Sequence, residues 1–339
     1  MAQVHGKRTA LAWLLGLLVL HTAATAQFEI RGSFVALPPS DPLTIAMGDF
    51  NHDGKLDLAV VSDLSGGGVS ILIGKGDGTF EWAVQYAAGD QPFSIVAADF
   101  DNDGNLDLAV ANSLSPYVSI LMGNGDGTFR PQTETPPVNY ATFVNVGDFN
   151  GDGIPDLVAL TGYTISVLMG NGDGTFQDPI ITQPAFSTAA IGIGDFNRDG
   201  KLDLAAAGQF GTECEVNILL GNGDGTFRQG ASYAGDRYPE SIFVGDFNGD
   251  HKLDFAVANL EGVGIGVWIG NGDGTFEQGV NYAATSPLWV TGARLSGSGP
   301  LDIVAASFTD GVDILTGNGD GTFQPAVSFP GGNWDTYVV

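Results

Sequence analysis

The sequence predicts an all-β fold, a β-propeller made of four-stranded antiparallel blades. Three observations lead to this prediction: an acidic motif returns six times with a spacing of 47 to 51 residues, a glycine-rich motif returns in phase with it, and short apolar runs separate the two. Repeats of about 40 to 50 residues that each hold several strand-length apolar runs are typical of propeller blades.

The acidic motif keeps its residue types from copy to copy. Its six copies are GDFNHDGKLDLAV (48–60), ADFDNDGNLDLAV (98–110), GDFNGDGIPDLVA (147–159), GDFNRDGKLDLAA (194–206), GDFNGDHKLDFAV (245–257) and the divergent ARLSGSGPLDIVA (293–305). The glycine-rich motif is GKGDGTF in its first copy and GNGDGTF in the other five, and it ends at Phe80, Phe129, Phe176, Phe227, Phe276 and Phe323. Two motifs that share one period over most of the chain indicate a repeated structural unit.

Each repeat contains four predicted strands. In the second repeat these are SIVAADF, LDLAVAN, VSILMG and FRPQTET, which are bounded by Gly, Asp and Asn as strands and tight turns usually are. The first three runs are almost continuously apolar, which predicts burial on both faces, and the more polar fourth run predicts an outer edge. We therefore expect an up-and-down blade from every repeat.

The repeats predict six complete blades in a seven-bladed frame. They lie near 43–87, 93–136, 142–184, 189–235, 241–284 and 288–329. Residues 28–37 align with a fourth strand and residues 333–339 with a first strand, so these two segments predict a partial seventh blade. The alternative is that six blades close on their own and leave the two end segments spare.

Residues 1–26 have the pattern of a secretory signal peptide. Lys7 and Arg8 precede the apolar run LAWLLGLLVL (11–20), and Ala24-Thr25-Ala26 places the cleavage site before Gln27. The run is too short to span a bilayer, and no other long apolar stretch follows, so no membrane span is expected. We expect a secreted protein, whether extracellular, periplasmic or at the cell surface.

The charge balance points to cations as partners. The chain has 39 acidic and 12 basic residues and a formal net charge of -27, which disfavours binding to nucleic acid or anionic lipid. Of the 39 acidic residues, 22 belong to the five intact acidic loops and the six glycine-rich turns. The negative charge is therefore part of the repeat architecture.

The acidic motif predicts a Ca²⁺ site in each of five loops. Positions 1, 3, 5 and 9 offer side-chain oxygens, position 6 is a glycine that allows a sharp turn in four copies, and position 7 would contribute its backbone carbonyl. The EF-hand does not fit, because position 12 of the first loop is Val60 instead of Glu. The alternative interpretation is that these Asp and Asn residues only form turns. The predicted ligands are Asp49, Asn51, Asp53, Lys55 and Asp57; Asp99, Asp101, Asp103, Asn105 and Asp107; Asp148, Asn150, Asp152, Ile154 and Asp156; Asp195, Asn197, Asp199, Lys201 and Asp203; and Asp246, Asn248, Asp250, Lys252 and Asp254.

Two loops depart from the pattern. In the fifth loop His251 replaces the glycine of position 6, which predicts a strained turn and a weaker site. In the sixth loop Arg294, Ser296 and Ser298 replace three ligands and only Asp302 remains, so no ion is expected there. The aspartates of the six glycine-rich turns are interpreted as turn formers and not as ligands.

The paired motifs resemble FG-GAP-like (VCBS) repeats, which are related to the propeller of integrin α-subunits. The resemblance rests on D-x-[DN]-x-D-G-x-x-D together with GNGDGTF and covers about residues 28–339. It implies calcium that stiffens the blades without taking part in chemistry, and a function in recognition or cell adhesion.

Three functions remain open at this point. The loops that follow the second and fourth strands vary in sequence and carry Phe93, Tyr117, Tyr238, Trp289 and Trp334, which favours a monomeric module that recognises a glycan or an extracellular protein. Beyond the signal peptide the only histidines are His52 and His251, both in acidic loops, so we expect no enzyme. The alternatives are a calcium-dependent polysaccharide-active enzyme and a non-catalytic scaffold domain of a larger surface protein.

Overall fold

The computed structural model describes residues 42–62, 68–184, 187–210, 213–307 and 311–329. The described residues form six four-stranded antiparallel sheets, each with its strands in chain order. The predicted blades are therefore present, and we number them 1 to 6. The signal peptide and the two segments of the predicted seventh blade, 28–37 and 333–339, lie outside the described residues.

The strands occupy the same four places in every blade. The first strands are β1 (Pro42–Gly48), β5 (Pro92–Ala98), β9 (Phe143–Gly147), β13 (Ser187–Gly194), β17 (Pro239–Gly245) and β21 (Pro287–Ala293). The second strands are β2 (Asp57–Ser62), β6 (Asp107–Asn112), β10 (Asp156–Leu160), β14 (Asp203–Phe210), β18 (Asp254–Asn259) and β22 (Asp302–Ser307). The third strands are β3 (Gly68–Leu72), β7 (Val118–Leu121), β11 (Ile165–Leu168), β15 (Glu213–Gly221), β19 (Gly264–Trp268) and β23 (Gly311–Leu315). The fourth strands are β4 (Val84–Ala87), β8 (Thr133–Glu134), β12 (Ile180–Thr182), β16 (Phe227–Ala234), β20 (Val280–Ala283) and β24 (Val327–Phe329).

Burial follows the place of a strand in its blade. Every residue of β2, β6, β10 and β18 is buried, and the third strands β7, β11 and β19 are also buried throughout. The fourth strands are mostly exposed, as their polar sequences predict. The first strands differ from the prediction because they are only partly buried, as in β9; the first strand forms the other edge of its sheet.

The described residues group into two compact units. Unit 1 contains residues 42–146 and 170–177, and unit 2 contains residues 147–169 and 178–329. In unit 1 one apolar core joins the second and third strands of blade 1 with those of blade 2. In unit 2 two such cores join blade 4 to blade 5 and blade 5 to blade 6. Each core thus lies between consecutive blades, which is where apolar faces of stacked sheets meet.

No segment of the described residues forms a helix with the length and hydrophobicity that crossing a bilayer requires.

Candidate metal loops

The aspartate at position 1 organises each acidic loop. In the first loop, Asp49 Oδ1 accepts a hydrogen bond from Asp53 N at 3.0 Å, and Asp49 Oδ2 accepts one from Gly54 N at 2.8 Å. The same two bonds recur in the other four loops that carry the predicted ligands. The carboxylate at position 1 therefore folds the chain of positions 5 and 6 around itself.

Positions 3 and 5 also accept bonds from the loop backbone. Asn51 Oδ1 accepts from Asp53 N, and Asp53 Oδ1 accepts from Lys55 N, both at 3.0 Å. These residues are thus turn formers, as the alternative interpretation of the motif supposed. Turn formation and cation binding are compatible, because a carboxylate or amide oxygen carries two lone pairs and each bond uses one.

The second loop brings three of its predicted ligands together. One carboxylate oxygen from each of Asp99, Asp101 and Asp107 lies within 4.8 Å of the other two. Across the part of the chain that the structure describes, this is the one group of three or more Asp, Glu, His or Cys side chains at such spacing. Asp103 lies outside the group, and its Oδ1 accepts from Asn105 N at 2.8 Å. Positions 1, 3 and 9 are therefore the convergent set in this loop.

The aspartate at position 9 has a structural task that the motif did not reveal. Asp107 Oδ2 accepts from Phe100 N at 2.8 Å, and Asp107 Oδ1 accepts from Gly123 N at 2.7 Å. One buried carboxylate thus joins the acidic loop to the end of the third strand of the same blade. Corresponding pairs of bonds are made by Asp57, Asp203, Asp254 and Asp302. We call this arrangement the aspartate clamp.

Burial raises the pKa of the clamp carboxylates. It raises the pKa of Asp107 and of Asp254 to about 6 in each case, although the two backbone amides on each carboxylate oppose the shift. Burial also raises the pKa values of Asp57 and Asp203. The ionised carboxylate is therefore costly in these surroundings, and a cation held in the same loop would offset that cost.

The donor set suits a hard divalent cation. All side-chain donors at positions 1, 3, 5 and 9 are oxygens, which Ca²⁺ prefers. Position 6 has a left-handed backbone, with a φ of 77° at Gly54 and 82° at Gly200, so the loop bends where only glycine fits well. The carboxylate at position 5 attracts cations in this structure, because the lysine of position 7 pairs with it in two loops. Lys55 Nζ is 2.9 Å from Asp53 Oδ2, and Lys252 Nζ is 3.0 Å from Asp250 Oδ2. The donor types of the five loops therefore suit a calcium ion, and in the second loop three of the carboxylates also converge.

The fifth loop has the strain that its sequence predicts. His251 adopts a φ of 63° at position 6, although its amide still donates to Asp246 Oδ2 at 3.0 Å. A residue with a side chain destabilises the fold by about 1–2 kcal/mol when its backbone is left-handed. Glycine avoids this cost, but its greater freedom in the unfolded chain offsets about 0.5–1 kcal/mol of the benefit.

We therefore expect His251→Gly to raise the free energy of unfolding by about 0.5–1 kcal/mol, measured by urea unfolding. The matched control is Gly200→His, which puts histidine at the same position of the fourth loop and should lower stability by a similar amount. A destabilised His251→Gly protein would contradict the strain argument.

The sixth loop has replaced its carboxylates with an internal cation. Arg294 Nη1 donates a hydrogen bond to the backbone carbonyl of Gly299, at loop position 6. Only the clamp residue Asp302 is retained, with its two amide bonds from Leu295 N and Gly317 N. The clamp geometry is therefore kept in a loop that lacks the other predicted ligands.

The glycine-rich turns are as interpreted from the sequence. Asp77 Oδ1 accepts from Thr79 N at 2.9 Å and from Thr79 Oγ1 at 2.6 Å, and the other five turns repeat this pair. The threonine bonds lower the pKa of Asp77. These aspartates therefore close the turns.

Sequence reasoning missed the role of the phenylalanines. The ring at loop position 2 meets the final ring of the following GDGTF turn edge-to-face, with centroid separations of 5.3 to 6.1 Å. The pairs are Phe50–Phe129, Phe100–Phe176, Phe149–Phe227, Phe196–Phe276 and Phe247–Phe323. The signal that could have found them is the strict recurrence of phenylalanine in both motifs. The acidic loop is therefore also a packing element.

The aromatic residues proposed for ligand recognition are exposed to different degrees. Tyr238 and Trp289 are 42% and 45% exposed, whereas Phe93 and Tyr117 are partly buried. Trp334 lies outside the described residues. Tyr238 also has a φ of 52°, which is uncommon for an aromatic residue. The structure thus leaves Tyr238 and Trp289 as the candidates for contact with a ligand.

The sheets and loops together define a class of protein, a β-propeller with acidic loops suited to cations. A family model described as FG-GAP-like repeat matches residues 49–110, 100–159, 148–206 and 195–257. These matches together span more than half of the chain, and the protein belongs to the FG-GAP-like repeat family.

Solved structures share the fold at low sequence identity. A lectin from Agrocybe aegerita, described as recognising non-reducing terminal N-acetylglucosamine, is 20% identical with a TM-score of 0.60, over 84% of this chain and 79% of the lectin. A protein from Lactobacillus plantarum is 14% identical with a TM-score of 0.60, over 85% of this chain and 84% of the other. A protein of unknown function from Desulfotomaculum acetoxidans is 16% identical with a TM-score of 0.53, over 78% and 77% of the two chains. No curated protein sequence matches the chain.

Proposed function

We propose that this protein is a secreted, calcium-binding β-propeller that recognises glycan or extracellular protein ligands and does not catalyse a reaction. Calcium in the five acidic loops stiffens the scaffold, and the loops at the other end of each blade contact the ligand. Membership of the FG-GAP-like family and the oxygen-only donor sets support the calcium component. Secretion is supported by the signal-peptide pattern of residues 1–26.

The exposed rings of Tyr238 and Trp289 are the observation that carries the recognition component. Each lies at the start of a first strand, β17 or β21, at the end of the blade away from the acidic loops. Aromatic rings with a polar edge are well suited to sugars and to protein partners. The fold shared with the lectin supports glycans as the first class to test.

The test is a glycan array probed with calcium-loaded protein, and it includes glycans that end in N-acetylglucosamine. We expect binding to a defined set of glycans, and we expect Trp289→Ala and Tyr238→Asn each to weaken it by about tenfold or more, as for the central rings of other interfaces. Asparagine is chosen at position 238 because it tolerates the left-handed backbone.

The matched control is Trp82→Ala. Trp82 is 89% exposed, but within blade 1 it precedes the fourth strand, at the same end of the blade as the acidic loop, so its removal should leave binding unchanged. An array without binding, together with no capture of extracellular proteins, would count against recognition. Turnover of a polysaccharide would favour the enzyme alternative instead.

A further inference from the structure

Three acidic loops, the first, second and fourth, bond to the next blade through their second residue. The backbone carbonyl at loop position 2 accepts a hydrogen bond from the second glycine of the GDG turn in the following blade. These bonds are Gly127 N to Phe50 O at 2.9 Å and Gly174 N to Phe100 O at 3.1 Å in unit 1, and Gly274 N to Phe196 O at 3.0 Å in unit 2. The residue that makes this bond lies between two predicted cation ligands, at positions 1 and 3.

The third loop residue, itself a predicted ligand, lies against the same glycine. A Cβ placed on Gly127 would lie 3.5 Å from the Cβ of Asn51, and one on Gly274 would lie 3.4 Å from the Cβ of Asn197. Gly321 approaches Asn248, and Gly174 approaches Asp101, in the same way. The turn glycine therefore packs directly on a residue whose side chain would bind the ion.

The first turn shows no such neighbour within the residues that the structure describes and provides an internal comparison. Gly78 has a φ of 83° and Gly127 a φ of 82°, so the two glycines share one backbone conformation. A Cβ on Gly78 would meet no atom within 4 Å among the described residues, whereas one on Gly127 would lie 2.7 Å from Ile73 Cδ1. Among the described residues, the two turns thus differ in their contacts and not in their backbone conformation.

We propose that a cation in the first, second and fourth acidic loops stabilises the junction with the following blade, so that these ions act between blades as well as within their own hairpins. This inference rests on the calcium binding that we propose above. Ligands at positions 1 and 3, which flank or include these residues, would fix the backbone of positions 2 and 3, and these two residues form the docking surface for the next turn. By linkage, the docked turn must in return favour cation binding.

The first experiment is hydrogen exchange measured by mass spectrometry on the full chain, in calcium and in chelator. In calcium we expect exchange in the turn peptides 124–129, 171–176 and 271–276 to slow by about 5- to 100-fold, the range of typical coupling between sites. The turn peptide 75–80, which contains Gly78, should change by less than about twofold on the same scale.

A variant of one loop shows whether the effect passes to the next blade. The double substitution Asp99→Asn with Asp101→Asn removes two carboxylates from the second loop. It should abolish the calcium-dependent protection of peptide 171–176, whose Gly174 bonds to that loop, and leave peptides 124–129 and 271–276 protected.

The reciprocal experiment alters the turn and reads out the loop. The calcium concentration at half-protection of peptide 49–57 reports on the first loop alone. Gly127→Ala should raise this midpoint by about fivefold or more. Gly78→Ala introduces the same backbone strain at a Cβ position with no described atom within 4 Å and should leave the midpoint unchanged.

The outcomes separate this inference from the proposed function. If calcium protects peptide 49–57 but leaves peptide 124–129 unchanged, the ion acts only within its hairpin and the inference is overturned, while calcium binding stands. If no peptide responds to calcium and the melting temperature is also unaffected, both are overturned. Protection of both peptides that depends on the loop carboxylates supports both.

Discussion

Removal of calcium by a chelator is expected to lower the melting temperature of this protein by about 10 °C or more. Extracellular calcium modules bind with dissociation constants of about 10⁻⁴–10⁻³ M, so 10 mM calcium gives about 1.5–2.5 kcal/mol at each occupied site. Each site then raises the melting temperature by several degrees, since 1 kcal/mol corresponds to about 2–4 °C, and the contributions of the five sites add. The effect is large because the sites are many.

The physical reason is the repulsion that remains when the ion is absent. In the second loop, oxygens of Asp99, Asp101 and Asp107 lie within 4.8 Å of one another, and burial already raises the pKa of Asp107 to about 6. At neutral pH the folded protein must hold these charges together without compensation, whereas the unfolded chain separates them. A bound cation reverses the sign of this contribution.

Controls make the result specific to the loops. The substitution Asp99→Asn should reduce the calcium-dependent shift in melting temperature by about one site's share, while Asp126→Asn, in the glycine-rich turn of the same blade, should not reduce it. Sodium chloride at equal ionic strength should give little of the shift, because screening does not replace coordination. Equal melting temperatures in calcium and in excess chelator would contradict the calcium assignment.

Most of the fold could be predicted from the period of the repeats. Because both motifs recur in phase, the four strands of each blade and their order could be predicted from one sequence. The ring pairs could not be predicted. Phe50 of blade 1 contacts Phe129 of blade 2, and neither motif alone indicates which rings pack together. Contacts between repeats depend on how the blades stack, and stacking is set by the whole face of a sheet.

In blade 5 two glycines make room for a large side chain, which could not be predicted from the sequence alone. Its third strand carries Trp268 where β3, β7, β11 and β23 end in leucine, and the indole stacks on Phe255 with ring centroids 5.0 Å apart. Room for it comes from Gly266 and Gly279, since a Cβ on either would lie 2.4–2.6 Å from the indole. The indole Nε1 is buried and has no partner among the described residues. Trp268 and Phe255 read as ordinary strand residues in the sequence, and only the packing shows that the glycines fit them.

The residue types of the candidate site could be predicted from the sequence, but the structural role of its position-9 aspartate could not. The alternating Asp and Asn of the motif predict a cation loop, and the structure brings positions 1, 3 and 9 of the second loop together. The aspartate clamp was not predictable, because its other half consists of backbone amides, which any residue can supply. Its one sequence signal is Asp302, the acidic residue that the divergent sixth loop retains.

Substitution of the clamp aspartate by asparagine is expected to destabilise blades 5 and 6 equally without calcium but unequally with it. Asp254 accepts from Phe247 N and Gly270 N, both at 2.8 Å, and Asp302 accepts from its two amides at 3.0 and 2.9 Å. Asparagine can accept only one of the two bonds, and its amino group then faces the other N–H. Leaving a buried donor unsatisfied costs about 1–3 kcal/mol.

Calcium separates the two variants because only one of the loops has the other ligands. In chelator, Asp254→Asn and Asp302→Asn should each lower the free energy of unfolding by about 1–3 kcal/mol, measured by urea unfolding with an unchanged m-value. In calcium, Asp254→Asn should lose about 1.5–2.5 kcal/mol more, since the fifth loop also loses its cation, whereas the loss in Asp302→Asn should stay the same. A wild-type stability for Asp302→Asn would show that the clamp does not stabilise the blade. A calcium-dependent loss in Asp302→Asn as large as in Asp254→Asn would show instead that the sixth loop binds an ion despite Arg294.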